Sequence, residues 1–406
     1  MKRTGCLLSW GTSFIYHTPL HTSYGILIEM KITGLITEYN PFHNGHLHHI
    51  QKARETTQCD LLICVMSGHF VQRGEPTILN KWQRTQAALE HGVDLVLELP
   101  YPYVVQSAKH FANAAVRILE LIGCTDIVFG SESNDLESLQ LMAELPINVD
   151  GLKEHLSQGM GYPKAYGMVH GSYHPNDILA IAYLKAIQNT SIQAHTIART
   201  NHYHDETINS DSDIASATAI RKAVRLHQDV SNTTPMAEAL KQAKPISWEN
   251  YFTYIQTLLI SLDKQDLSEI FLMDEGLENH LSKQIKFASD FESFMLTSIS
   301  KRYTRARIQR ALTHLLTHTK RSEIKKLVPI NTLRVLGFNE KGQDYLKRFR
   351  DHEQVHIASR FNQVPLSYRI IEMRATTVYA HALAAEERLK LIQREIEGPI
   401  LYKKST

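Results

Sequence analysis

A short β-branched, apolar run at residues 31–37 is followed almost at once by Pro41 and then by His43-Asn44-Gly45-His46 and a helical stretch. This order constrains the chain more than any other feature. A strand that stops at Pro41 and turns through Gly45 into a helix leaves two imidazoles and the first helical amides facing one crevice. Helix N-termini attract phosphate, because their first N–H groups are unpaired and the helix dipole is positive there. Two ring N–H donors beside such an end suit a polyphosphate that gains charge as a bond breaks. A plain surface turn with solvated histidines is the competing reading, and the order of strand, proline, His-x-Gly-His and helix argues against it.

Beyond this turn the pattern keeps alternating. Strands are expected at residues 31–37, 60–66, 93–99, 126–129 and 192–199. Helices are expected at residues 45–56, 81–91, 107–122 and 176–188. Such alternation predicts an α/β fold, a Rossmann-like five-stranded parallel sheet covered on both faces. Ligands of these sheets lie beyond the carboxyl ends of the strands. Ser67-Gly68, Gly130-Ser131 and Arg199 all fall at that edge with the His-x-Gly-His turn. Farther on, Ser216 or Thr218 can cap a helix carrying Arg221. Alone this reads as an ordinary N-cap; behind a His-x-Gly-His domain it reads as a second phosphate clamp.

A chain of 406 residues has a prior of two domains. The division expected is 30–225 for the nucleotide-binding part and 236–406 for a mainly helical, basic part, with residues 229–235 as connector. Residues 1–29 interrupt every apolar run with polar groups and make a poor secretory signal. They read as an extension from an upstream start codon with no role in the fold. No apolar stretch approaches membrane-spanning length. The formal charge is only +2, so any nucleic-acid surface must be local. Cys6, Cys59, Cys64 and Cys124 form no Cys-x-x-Cys pair, and buried reduced thiols in a cytoplasmic protein are the expectation. Residues 301–321 hold seven Lys or Arg and no acid. Lys301, Arg302, Arg305 and Arg310, with Tyr303 among them, read equally as a phosphate-binding helix surface or as a solvated face. Residues 334–342 read as a compact turn of underivable chemistry.

The motifs carry a resemblance. His43-Asn44-Gly45-His46 and the Ser216-Ala217-Thr218 segment with Arg221 resemble the nucleotidyltransferase superfamily. Glu38-Tyr39-Asn40-Pro41-Phe42-His43 with the turn behind it, and Met66-Ser67-Gly68-His69-Phe70-Val71-Gln72-Arg73-Gly74-Glu75-Pro76 followed by Lys81, Trp82 and Arg84, are similar to the bacterial tRNA(Met) cytidine acetate ligase family. Further islands continue to about Leu346, among them Lys301-Arg302-Tyr303-Thr304 and Leu336-Gly337-Phe338. The resemblance implies a two-step ligase: acetate and ATP give acetyl-adenylate and pyrophosphate, then the N4 of the wobble cytidine of elongator tRNA(Met) takes the acetyl group. It implies catalytic roles for His43 and His46. It implies ATP contacts from Ile36, Thr37, Glu38, Tyr39, Asn40, Pro41, Phe42, Asn44, Gly45, Leu47, His48 and His49, and from Gly130, Asn176 and Arg199. Ser216, Thr218 and Arg221 would hold the β/γ end. Mg²⁺ is expected with ATP, held by phosphate and water, and no protein metal site or protein partner is expected. Glu38 and Asn40 read as supports of the imidazoles or caps of the turn. His48 and His49 also read as facing solvent or the sheet, and His69 as structural. Arg73, Lys81 and Arg84 are candidate substrate or tRNA contacts, although Lys81 and Arg84 also fit a surface pair. The alternative function is a small-molecule adenylyltransferase of the same superfamily.

Overall fold

The computed structural model describes residues 30–404 except 146–149, 152–153, 156–164, 166, 170–174, 200–206 and 209–211; the expected extension 1–29 lies outside the described residues. Lys31–Thr406 forms one compact unit. Its centre is an eight-stranded sheet, β1 (Ile32–Thr37), β2 (Leu61–Ser67), β3 (Leu95–Leu99), β4 (Asp126–Ser131), β5 (Gln193–Ala198), β6 (Thr332–Phe338), β7 (His356–Ala358) and β8 (Ile400–Leu401). The order is β5-β4-β1-β2-β3-β6-β7, with β8 also paired to β6. β1 to β5 are mutually parallel. Every residue of β2 and β3 is buried, the composition expected of strands covered on both faces.

Five strands and the intervening helices fall within a residue or two of their expected places. The helices that position the site are α1 (Asn44–Thr57), α2 (Lys81–Glu90), α3 (Ala108–Leu121) and α4 (Pro175–Ile187). The count of five strands is too low, because β6 adds antiparallel to β3, with Leu95 opposite Phe338, and β7 and β8 pair with β6. The stretch expected as a compact turn is therefore mostly strand. Its Gly337 and Gly342 suggested a turn, but Gly342 serves close packing: a β-carbon there would collide with the carbonyl oxygen of Asp94. Nor is the expected division near residues 225–236 a break in packing. Strands from the far side complete the sheet, and the connector holds the start of α1 through Asn44 N–H to the Thr233 carbonyl (3.0 Å) and the Thr234 hydroxyl to the Phe42 carbonyl (2.5 Å).

Lys81 and Arg84 overturn the expectation of substrate or tRNA contact, since both are fully buried. Asn80 caps α2 and turns these side chains inward. Lys81 Nζ lies 2.6 Å from Glu98 and 2.7 Å from Glu395, and Arg334 meets the same two carboxylates at 2.8 and 2.6 Å. This cluster ties β3, α2 and β6 to the helix Ala385–Ile396. Burial alone would raise the Glu395 carboxyl, but Lys81 and Arg334 hold it well below the usual range. Glu372, buried in the same region, goes the other way, pushed up to about 8 by burial and then by the Glu98 charge. Arg84 spends its guanidinium on main-chain carbonyls: those of Glu38 (2.6 Å), Ser67 (3.1 Å), Leu79 (3.2 Å) and Gly68. It thus staples the ends of β1 and β2 together. His69 is structural as well. It is buried and stacks on Tyr379 with ring centroids 4.5 Å apart.

Removing one member of a buried ion cluster strands its partners in a medium of low dielectric. Lys81→Met should lower the unfolding free energy by about 3–5 kcal/mol in denaturant melts. An RNA-binding defect in that variant at unchanged stability would contradict the structural role.

Candidate active site

The carboxyl ends of β1, β4 and β5 open into a crevice of about 1600 Å³, counting its open mouth. Its chemistry begins at the first turn of α1. His43 is the N-cap, and its Nδ1 accepts the Gly45 amide (3.0 Å). In return the His43 amide donates to Nδ1 of His46 (3.2 Å). The motif is a capping box built from two imidazoles instead of a hydroxyl and a carboxylate. A nitrogen that accepts an amide proton carries none of its own, so in each neutral ring the proton sits on Nε2. The ring centroids are 3.8 Å apart, and Tyr39 meets His46 edge-on at 4.7 Å. Burial, then the Arg199 and Arg221 charges, push His43 down to about 3. Burial and the neighbouring His43 and His49 hold His46 well below the usual histidine range. At neutral pH both rings are uncharged donors.

The rest of the loop divides by task. Ile36, Thr37, Glu38, Tyr39, Asn40, Gly45, His48 and His49 line the crevice; Pro41, Phe42, Asn44 and Leu47 do not. Phe42 is wholly buried against the rings of His46 and His91. Asn44 donates to the carbonyls of Asp213 and Asn232, both at 2.8 Å, and so anchors the start of α1. Glu38 and Asn40 do not support the imidazoles. Glu38 accepts the Gln72 amide (2.6 Å) and Asn40 accepts the Ile78 amide (2.8 Å), which secures the loop between β2 and α2. His49 is turned to the sheet, its Nε2 3.2 Å from the Val128 carbonyl.

Gly130, Asn176 and Arg199 meet on the wall formed by β4, β5 and the start of α4. A β-carbon at Gly130 would lie 3.2 Å from the Arg199 side chain, so that side chain occupies the room the glycine leaves. Asn176 donates to Glu132 (2.5 Å), while Asp177 accepts the Ser131 hydroxyl (2.5 Å). Ser216 caps α5 (Ala217–Arg225) by accepting the Ala219 amide at 3.0 Å. Arg221, one turn on, reaches back to the Asn40 carbonyl (2.8 Å) and to Glu75 (2.9 Å), with Thr218 at 3.4 Å. Ser216, Thr218 and Arg221 all face the crevice, and so does Arg73.

Sequence reading missed part of the lining. Gln72 comes from the loop after β2, and Phe111, Leu179 and Tyr183 come from helices that cover the sheet. Their apolar periodicity marks them as core, and nothing in the pattern separates a core position from one at the rim of a cavity. Among the described residues no group of three His, Cys, Asp or Glu is arranged to hold a metal ion.

The basic segment differs from expectation. Thr304 accepts the Arg307 amide and starts the helix α6 (Arg305–Leu316), so Lys301, Arg302 and Tyr303 precede it in a turn. Lys301 and Arg302 are exposed, with Arg302 lying 5.5 Å over the Tyr303 ring. Arg305 pairs with Glu292 (3.1 and 2.6 Å). Arg310 is half-buried and has no acidic partner among the described residues; the charges that act on it are Arg307 and then Arg73. These residues do not share one helix face.

Residues 30–394 match the family model described as HIGH Nucleotidyl Transferase. The tRNA(Met) cytidine acetate ligase of Anoxybacillus flavithermus is 38% identical, over 92% of this chain and all of the relative. The enzyme of that name from Bacillus subtilis is also 38% identical, over 92% and 98%. A crystal structure of Thermotoga maritima TmcAL superposes with a TM-score of 0.83 at 31% identity, covering 92% of this chain and 99% of that one. The TmcAL structure bound with alpha-thio ATP gives 0.80 at 30% identity, over 92% and 100%. The paired-imidazole crevice thus sits in a chain that belongs to the tRNA(Met) cytidine acetate ligase family of HIGH nucleotidyltransferases.

Proposed function

We propose that this chain is an ATP-dependent ligase that activates acetate and transfers the acetyl group to N4 of the wobble cytidine of elongator tRNA(Met). The observation that carries the reading is the reciprocal capping of His43 and His46, which leaves two neutral Nε2–H donors at a helix N-terminus. In the first step an acetate oxygen attacks the α-phosphorus of ATP, the bond to the bridging oxygen breaks, and pyrophosphate leaves. Charge grows on the phosphate oxygens, and fixed donors in the crevice stabilise it at little reorganisation cost. Arg221, with Ser216 and Thr218, is suited to the pyrophosphate end, and Arg199, Gly130 and Asn176 to the nucleoside end. In the second step N4 attacks the acetyl carbon, AMP leaves with the bridging oxygen, and N4 gives up a proton.

The described side chains offer no three-carboxylate cage, so magnesium arriving with ATP would take its ligands from phosphate oxygens and water. The RNA substrate sets the reaction in the cytoplasm. Among the described residues no helix is long and apolar enough to cross a membrane.

The test is incubation with ATP, acetate and tRNA(Met) bearing cytidine or uridine at position 34, followed by mass spectrometry of nucleosides. Acetylcytidine that requires ATP, acetate and cytidine-34 supports the reading. Adenylylation of a free phosphate ester with unchanged RNA would favour the small-molecule alternative. His46→Ala should slow acetate-dependent exchange of labelled pyrophosphate into ATP by about 3 kcal/mol of barrier, the loss of one preorganised donor. Its affinity for tRNA should stay within about twofold, a difference under 0.5 kcal/mol. Equal losses in both would make the turn structural.

The pH profile follows from the direction of the histidine shifts. Both rings are neutral in the folded protein until the pH falls far below the ordinary histidine value, and His43 gains its proton only near 3. Pyrophosphate exchange should therefore show no inflection near pH 6.5, whereas a protonated-imidazole mechanism would fade as the pH rises through that value.

A further inference from the structure

The loop between β2 and α2 reaches the far helix α6 at one point. Gly74, with φ at +85°, lies so close to α6 that a β-carbon there would be 2.7 Å from the backbone nitrogen of Arg310. The Thr313 hydroxyl donates to the Gly74 carbonyl at 2.6 Å. These contacts set Arg73, which faces the crevice, beside Arg310, which does not. The three arginines of α6 differ sharply. Arg305 pairs with Glu292, and Arg307 binds the Leu272 carbonyl (2.6 Å) and Asp274. Arg310 donates no side-chain hydrogen bond to any described residue, and the charges that act on it are Arg307 and Arg73, both positive. Burial and these two neighbours push its guanidinium down to about 10. The nearest acid of the loop, Glu75, is taken by Arg221 at 2.9 Å and Arg225 at 3.7 Å.

A guanidinium beside like charges, with no hydrogen-bonding partner among the described residues and its nitrogens open to water, gains when an anion comes to it. Planar guanidinium forks match the oxygens of phosphate. The pyrophosphate end of the crevice already has Arg221, and Arg310 stands outside the crevice wall. We propose that Arg310 and Arg73 form a phosphodiester site at the lip of the crevice, which holds the RNA strand while its reacting nucleotide enters. This rests on the RNA-acetylating reading above. Arg73 then belongs to both compartments, and Arg310 to the RNA alone.

The experiment compares full-length wild type with Arg310→Met and Arg310→Lys. It reads pyrophosphate exchange, KM for cytidine-34 tRNA(Met), the salt dependence of tRNA binding, and the melting temperature. Arg310→Met should raise the tRNA KM by about tenfold, as expected for one charge-assisted contact. Its log Kd against log salt should flatten by about 0.7, one single-stranded phosphate. Exchange should change by less than about twofold, a difference under 0.5 kcal/mol, and the variant should melt no lower than wild type, because a like-charge contact is removed. Lysine should restore part of the affinity and most of the slope. An unchanged KM and slope would overturn the site. So would a loss of exchange equal to the loss of transfer, which would assign the arginine to the nucleotide's own phosphates. A lower melting temperature with an unaltered slope would mean packing alone. If wild type acetylated no tRNA, the function reading would fail by itself, and the salt slope on the same RNA would still judge the site.

Discussion

The active site depends on a pair of hydrogen bonds between imidazole nitrogens and the peptide groups of one helical turn. By accepting the His43 and Gly45 amides, Nδ1 of His46 and of His43 fix ring orientation and tautomer together. The exchange satisfies amides that an α-helix leaves without partners. It also puts the helix cap on one nitrogen of each ring and the N–H donor on the other, so the rings cannot be disordered without fraying α1. Neutrality matters as much as geometry. A charged imidazole would hold ground-state triphosphate strongly, whereas a neutral donor aimed at developing charge favours the transition state.

Around this turn the structure is organised by the loop between β2 and α2, which runs along the crevice. Glu38 and Asn40 receive its amides, Arg84 gathers the Gly68 carbonyl with that of Glu38, and Thr313 holds Gly74 from the opposite side. The geometry of the crevice therefore depends on a helix, α6, that begins more than 200 residues later. The buried Lys81–Glu98–Arg334–Glu395 cluster does the same for the sheet. Every carboxylate in that cluster meets two cations, so the charges are matched where isolated ones would be costly.

The parallel half of the fold was legible because its signals are local. Short apolar runs closed by a turn signal, such as Leu61–Ser67, read as strands buried on both faces. The crevice was legible where turn chemistry marks it, at His43, Gly45, His46, Gly130, Ser216 and Arg221. What escaped reading depends on partners far away in sequence. Lys81 and Arg84 look like a surface pair, because the carboxylates and carbonyls that receive them come from four other segments. Gly337 and Gly342 look like turn residues, because glycine chosen for close approach carries the same letter as glycine chosen for a turn. Arg305 and Arg310 look equivalent until Glu292 claims one of them.

The antiparallel addition of β6 to β3 has a consequence for biosynthesis. Until Thr332–Phe338 leaves the ribosome, β3 stands at the rim of an otherwise finished parallel sheet, with the main-chain groups of one edge unsatisfied and four of its five side chains apolar. Such a rim invites pairing with another nascent chain. Translation that stalls or terminates between the fifth strand and the sixth would leave an adhesive intermediate with the rim of β3 uncovered.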